Sequence, residues 1–90
     1  MDGMKYVVVE TNLCEMLFIF PTNIDHGQYC SDNRIKKDKI ISAGFVKSNL
    51  LNRIFCTGRS VSLDTVSRGN EDTYLVRRML GWEPEDLKDL

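Results

Sequence analysis

Tyr6-Val7-Val8-Val9 and Met16-Leu17-Phe18-Ile19-Phe20 are near-continuous apolar runs, and the fold turns on how they are read. Successive side chains of a strand point to opposite faces, so a strand with one wet face alternates apolar and polar residues. Neither run alternates. Both therefore need cover on both faces, and a chain of 90 residues has few helices with which to cover a sheet twice. Part of that cover is expected from outside the monomer, either a second copy or another protein. The sheet face left bare by the helices becomes the candidate interface.

The bulk numbers fit this picture. Hydrophobic content of 42% with 28% charged residues is that of an ordinary globular domain, and 90 residues make one domain, 1–90, with a single modest core. No apolar run exceeds five residues, against the ~20 that span a bilayer, so no membrane partner is expected. A basic start followed by an apolar stretch and a cleavage site is missing too, which argues against a signal peptide. Cys14, Cys30 and Cys56 are an odd number at wide spacing and read as reduced thiols in the cytoplasm. Net charge is −1 but unevenly spread: residues 34–59 sum to +6, and the flanking stretches 1–33 and 81–90 to −4 and −3. The basic stretch (Arg34, Lys36, Lys37, Lys39, Lys47, Arg53 and Arg59) reads either as a nucleic-acid patch or as a solvated loop and edge strand that offsets the acidic ends.

Outward from the two runs, the first strand spans about Met4 to Glu10, turns at Thr11-Asn12, and pairs antiparallel with a second from Glu15 to Phe20, stopped by Pro21. Thr22 or Asn23 is expected to cap a short helix from Ile24 to about Asn33. A third strand, Ile40 to Lys47, holds Ser42-Ala43-Gly44, whose small side chains predict a bulge or a close approach. A fourth strand, Leu51 to Thr57, and a fifth, Arg59 to Leu63, follow. The last element is a helix with Asn70 as N-cap, Glu71 and Asp72 in its first turn, an apolar stripe of Leu75, Val76, Met79 and Leu80, and Gly81 as a left-handed stop. Trp82 is expected to pack over that stop. Met1-Asp2-Gly3 reads as an extra start, and 83–90 as a frayed acidic tail. The fold class is α+β: an antiparallel or mixed sheet of about five strands in the order β-β-α-β-β-β-α, with both helices most simply on one face.

Little in the chain points to catalysis, and no enzyme is expected. His26 is the single histidine, and with Cys30 at i+4 it shares a helix face. Adding Cys14 and Cys56 would make the right composition for a zinc site, but structural zinc takes its ligands in close pairs, so no metal is expected. Nothing orients the imidazole for a Cys-His nucleophile. The glycines lack any phosphate-loop spacing, and no cofactor is expected. Phe45 with Lys47, and Arg53 with Phe55, alternate along adjacent strands. Each pair is either part of a base-stacking surface or part of the core.

The stretches Ile41-Ser42-Ala43-Gly44-Phe45-Val46 and Gly58-Arg59-Ser60-Val61-Ser62-Leu63, followed by a helix entered at Asn70-Glu71-Asp72-Thr73, resemble a loose group of small bacteriophage and prophage proteins with an SAGFV…GRSVSL core. The similarity spans most of residues 4–81. It implies a phage or prophage context and a protein that binds host proteins, including defence factors, and it carries no catalytic residue with it. The sequence thus predicts a non-enzymatic binding protein that acts as a homodimer or on a host protein. Arg34, Lys36, Lys37 and Lys39 are expected to form the electrostatic part of the contact, and Tyr6, Phe18 and Phe20 the apolar part. The alternative is a nucleic-acid-binding module built on the basic 34–59 stretch.

Overall fold

The computed structural model describes residues 3–49 and 53–81. The hairpin lies where its apolar runs put it, β1 at Met4–Glu10 and β2 at Glu15–Phe20, antiparallel with Val7 opposite Phe18. Its tight connection is held by Thr11, whose hydroxyl accepts the amides of Leu13 and Cys14 at 3.2 and 3.0 Å. That local bond gives the backbone a turn in place of a ladder. The chain then forms helix α1 (His26–Asp32), a single 3₁₀ turn at Lys37–Lys39, strands β3 (Ile40–Ser48) and β4 (Ile54–Thr57), a short ribbon of β5 (Arg59–Ser60) and β6 (Thr65–Val66), and helix α2 (Asn70–Met79). The architecture is α+β, a four-stranded antiparallel sheet ordered β2-β1-β3-β4 beside the two-stranded ribbon.

The two-faced strands are explained within the chain. Val7 and Val9 pack with Phe20, Cys30, Ala43 and Leu63 on one face, whereas Tyr6 and Val8 pack with Val46, Cys56 and Val76 on the other. Cys30 belongs to α1 and Val76 to α2, so the helices sit on opposite faces of the sheet. The expectation of both helices on one face is thereby corrected, as is that of a bare face awaiting an outside cover. Burial of Val7 and Val8 is complete, worth about 1.5–3 kcal/mol each.

Other departures have local causes. Helix α1 is capped by Asp25, not by Thr22 or Asn23: its carboxylate accepts the amides of Gly27 and Gln28, which hold it below the usual carboxylate range, the Gln28 bond most of all. Pro21 and Ile24 spend the preceding residues on a turn of their own. Helix α1 ends with Ile35 N–H on the Cys30 carbonyl and Arg34 N–H on that of Ser31, and Arg34 takes the left-handed conformation at φ 57°. The expected fifth strand stops after Ser60, because Ser60 Oγ accepts Leu63 N–H and the chain turns back through Asp64 at φ 51°. Helix α2 has Gly69 as its N-cap, with Asn70 already helical, and Gly81 makes the left-handed stop at φ 79°. In β3 the register slips between Val8 and Val9, a bulge that sends Ile40 to the α1 side and Ile41 to the α2 side. Gly44 allows a close approach: a Cβ there would stand 2.5 Å from the Thr57 carbonyl. Leu51, Trp82 and the acidic tail lie outside the described residues.

Candidate functional site: the two edges of the sheet

Pairing geometry decides which backbone groups an edge strand leaves unused. Thr11 N–H donates to the Cys14 carbonyl at 2.8 Å, so this is a hydrogen-bonding pair. Such pairs alternate along an antiparallel ladder, so Met16, Phe18 and Phe20 bond to β1 while Glu15, Leu17 and Ile19 turn their N–H and C=O groups outward. Among the described residues no hydrogen-bond partner meets those outward groups.

At β4, the opposite edge, an outward donor and an outward acceptor are occupied. Thr73 Oγ1 accepts the Cys56 amide at 2.8 Å, and Arg77 Nε donates to the Ile54 carbonyl at 3.0 Å. Both side chains come from α2, and both are buried. This shifts the inward stripe of α2 to Asp72, Thr73, Val76 and Arg77, so Met79 and Leu80, expected in the core, stand 54% and 50% exposed.

Two grooves flank β2, one on each face. On the α1 side a cleft of about 400 Å³ has Val9, Phe18 and Ile35 as its floor and Arg34, Lys36 and Lys39 on its rim, with Glu10 as its acid. On the α2 side a groove of about 460 Å³ is formed by Cys14, Glu15, Met16, Leu17, Leu75, Arg78 and Met79. Met16 lines both, because it sits on the edge between them.

The start of β2 is anchored from beneath. Asp72, fully buried, accepts four hydrogen bonds: from Tyr6 Oη at 2.5 Å, Ser42 Oγ at 3.0 Å, and the Arg68 backbone N–H and Nε at 2.9 and 2.8 Å. The Arg68 guanidinium then reaches Glu15 at 2.8 and 3.2 Å, and this bond holds the Glu15 carboxyl below its ordinary range. Burial, then the bond to Asp72, pushes the Tyr6 phenol far above its ordinary value. Asp72 has both its charge partner and its hydrogen bonds, as a buried carboxylate requires.

The expected contact residues separate accordingly. Arg34, Lys36 and Lys39 converge on the α1-side cleft with Phe18, and Lys37 is exposed on the neighbouring 3₁₀ turn. Tyr6 and Phe20 do not join them: Tyr6 is fully buried in the Asp72 network, and Phe20 is covered by the Tyr29 ring stacked at 4.0 Å and the His26 ring edge-on at 5.5 Å. Their proposed role at a surface is corrected. Sequence reasoning missed the α2-side groove, whose signal was an apolar stripe on α2 wider than the Asp72-Thr73-Val76-Arg77 face needs, and Arg68, whose bond to Glu15 is non-local and left no signal in the sequence. The rest of the basic stretch disperses. Lys47 lies over Phe45 at 5.8 Å, about 23 Å along β3 from Ile40, and Arg59 pairs with Asp64 at 3.7 Å.

His26 and Cys30 do share the buried face of α1. The imidazole Nε2 is 2.9 Å from the Gly44 carbonyl, and burial lowers its basicity. The Cys30 and Cys56 thiols are pushed up by burial, Cys56 to about 12. Among the described residues no group of three or more His, Cys, Asp or Glu side chains could hold a metal ion, and no helix is long and apolar enough to cross a membrane. Comparison with family models, with curated proteins and with solved structures finds no match for this chain.

Proposed function

We propose that the chain is a small, non-enzymatic binding protein of phage or prophage type, acting in the host cytoplasm by protein–protein contact through the β2 edge. The observation that carries this reading is the asymmetry of the sheet: α2 takes up an outward donor and an outward acceptor of β4, and among the described residues nothing meets those of β2, which lie between two grooves. An exposed edge strand with apolar side chains on both sides is a template for another strand. The single histidine and the buried carboxylate serve elsewhere: His26 holds the Gly44 carbonyl, Asp72 accepts four hydrogen bonds, and neither lines either groove.

The test compares the wild type with Leu17→Pro and Leu17→Ala. Both variants lose the side chain, and only proline also removes an outward N–H, leaving the β1 ladder intact. Solution mass by light scattering and retention of host-lysate proteins are read for all three. Association kept by Leu17→Ala and lost by Leu17→Pro supports the reading. Equal retention by all three, or a strict monomer that retains nothing, removes it. The convergence of Arg34, Lys36 and Lys39 supports a second reading, nucleic-acid binding, whose signature is an oligonucleotide affinity that falls steeply with added salt.

A further inference from the structure

The two grooves beside β2 differ in chemistry, and a strand laid against β2 would feel both. Side chains of an added strand point alternately to the two faces of the extended sheet. On the α1 face they would meet the rim cations Arg34, Lys36 and Lys39, and on the α2 face the apolar Leu17, Leu75 and Met79, with Arg78 beside them and Glu15 already held by Arg68. The period of the strand thus becomes a requirement on the sequence of whatever binds.

A second copy of this chain fits poorly. Its own edge, Glu15-Met16-Leu17-Phe18-Ile19-Phe20, is apolar toward both faces, and its one acid is already held by Arg68 in a two-pronged bond. Self-pairing would set the rim cations against methionine and phenylalanine. The backbone at Arg34 bears on the same point. Its left-handed conformation, φ 57°, closes the end of α1 where glycine is the usual residue, and a side chain there is disfavoured by about 1–2 kcal/mol. That strain sets the Arg34 side chain on the cleft rim, where it is a candidate for contact.

Resting on the protein-contact reading above, we infer that the β2 edge takes an extended segment of a partner protein in which acidic and apolar residues alternate. The acids lie over Arg34, Lys36 and Lys39, and the apolar side chains against Leu17, Leu75 and Met79. Backbone pairing to Glu15, Leu17 and Ile19 supplies affinity, and the two grooves supply specificity. The cations also steer the encounter, so the on-rate depends on salt.

The experiment titrates the full-length chain with an end-capped peptide of about eight residues alternating glutamate and leucine, a strand's usual length. A peptide of the same composition in block order and an alternating lysine–leucine peptide serve as controls. The alternating acidic peptide is expected to bind at least about tenfold more tightly than either control. Leu17→Pro should weaken it at least about tenfold and Leu17→Ala by much less, and Lys36→Glu with Lys39→Glu should weaken it about threefold to tenfold, most at low salt. Equal affinity for alternating and block peptides, or indifference to Leu17→Pro, would reduce the site to a diffuse cation surface and overturn the inference. Preference for the lysine–leucine peptide would reverse the charge assignment. Loss of oligonucleotide binding in the Lys36→Glu, Lys39→Glu variant, without peptide binding by the wild type, would give the cleft to nucleic acid. If no peptide binds while proline-sensitive retention of host proteins persists, the alternating pattern is wrong and the protein-contact reading stands.

Discussion

The two edges of this sheet solve one problem differently. β4 is sealed by side chains of α2: Thr73 and Arg77 take up a backbone donor and an acceptor that would otherwise recruit another strand. Among the described residues the outward groups of β2 are unmet, yet its first residue is fastened to α2 through Glu15, Arg68 and Asp72. One edge is covered by side chains, and the other, among the described residues, is anchored at its start and left open. A protein avoiding association altogether would be expected to blunt both. The difference makes β2, not β4, the edge at which association is to be sought, and four measurements can break or sharpen that contrast.

The largest contrast expected is chemical. Cys14 stands exposed at the open end of β2, whereas Cys56 lies buried in the sealed strand. A thiol at about 12 is ionised at pH 8 to only about one part in ten thousand. Native protein treated with iodoacetamide should gain one adduct, mapped by mass spectrometry to Cys14, and Cys56 should react only in denaturant. Rapid native labelling of Cys56 would show that the β4 seal is loose.

Next in size is removal of the seal. Thr73→Val with Arg77→Met keeps volume and leaves the Cys56 amide and the Ile54 carbonyl without these partners. Urea unfolding should register a loss of about 2–4 kcal/mol, from two buried backbone groups left unsatisfied. Light scattering should also show association absent from the parent. A variant of unchanged stability would mean that the two edges were never different.

A smaller effect should come with acid. Burial first, then the charge of Lys5, lowers the folded-state pKa of His26, against the bonds to backbone and the charge of Asp25 that raise it. Its contribution is therefore fully present above the unfolded value of about 6.5 and is lost as pH falls from there through the folded value. The β4 seal contains no group that titrates in this range. Hydrogen exchange at pH 5 should accordingly rise around α1 before it rises at Cys56, and His26→Gln should flatten the dependence. Simultaneous loss on both sides would tie the faces together.

Arg34→Gly gives the smallest change and the opposite sign. Relief of the left-handed strain, offset by the freer unfolded chain, should stabilise the fold by about 0.5–1 kcal/mol while weakening the acidic ligand. Gain in one and loss in the other separates a residue kept for binding from one kept for folding.

Much of this was legible in the chain. The hairpin bounds, the close approach at Gly44 and the Gly81 stop follow from local steric rules that need no partner, whereas the bulge falls at Ile41, just before the small residues Ser42-Ala43-Gly44. The basic residues on the α1-side rim were legible because charges at 34, 36 and 39 can hardly be buried. What escaped was non-local. Asp72 already had a sufficient local reason, the first turn of a helix, so nothing suggested that it also answers Tyr6 across 66 residues. Tyr6 and Phe20 were placed at a surface because two helices were assumed to share one face. Once each helix covers its own face, both rings go inside.

The distance in sequence between Tyr6 and Asp72 also has a consequence for synthesis. The hairpin emerges first and can pair within about 1–10 μs, and α1 follows closely enough to cover one of its faces. The cover for the other face is the last described element, ending at Met79. At about 5–20 residues per second, a ribosome leaves Tyr6, Val8, Leu17 and Ile19 uncovered for roughly 3–12 s. During that interval the nascent chain presents an open edge and an apolar face together, making it a client for chaperones before it is a binder of anything else.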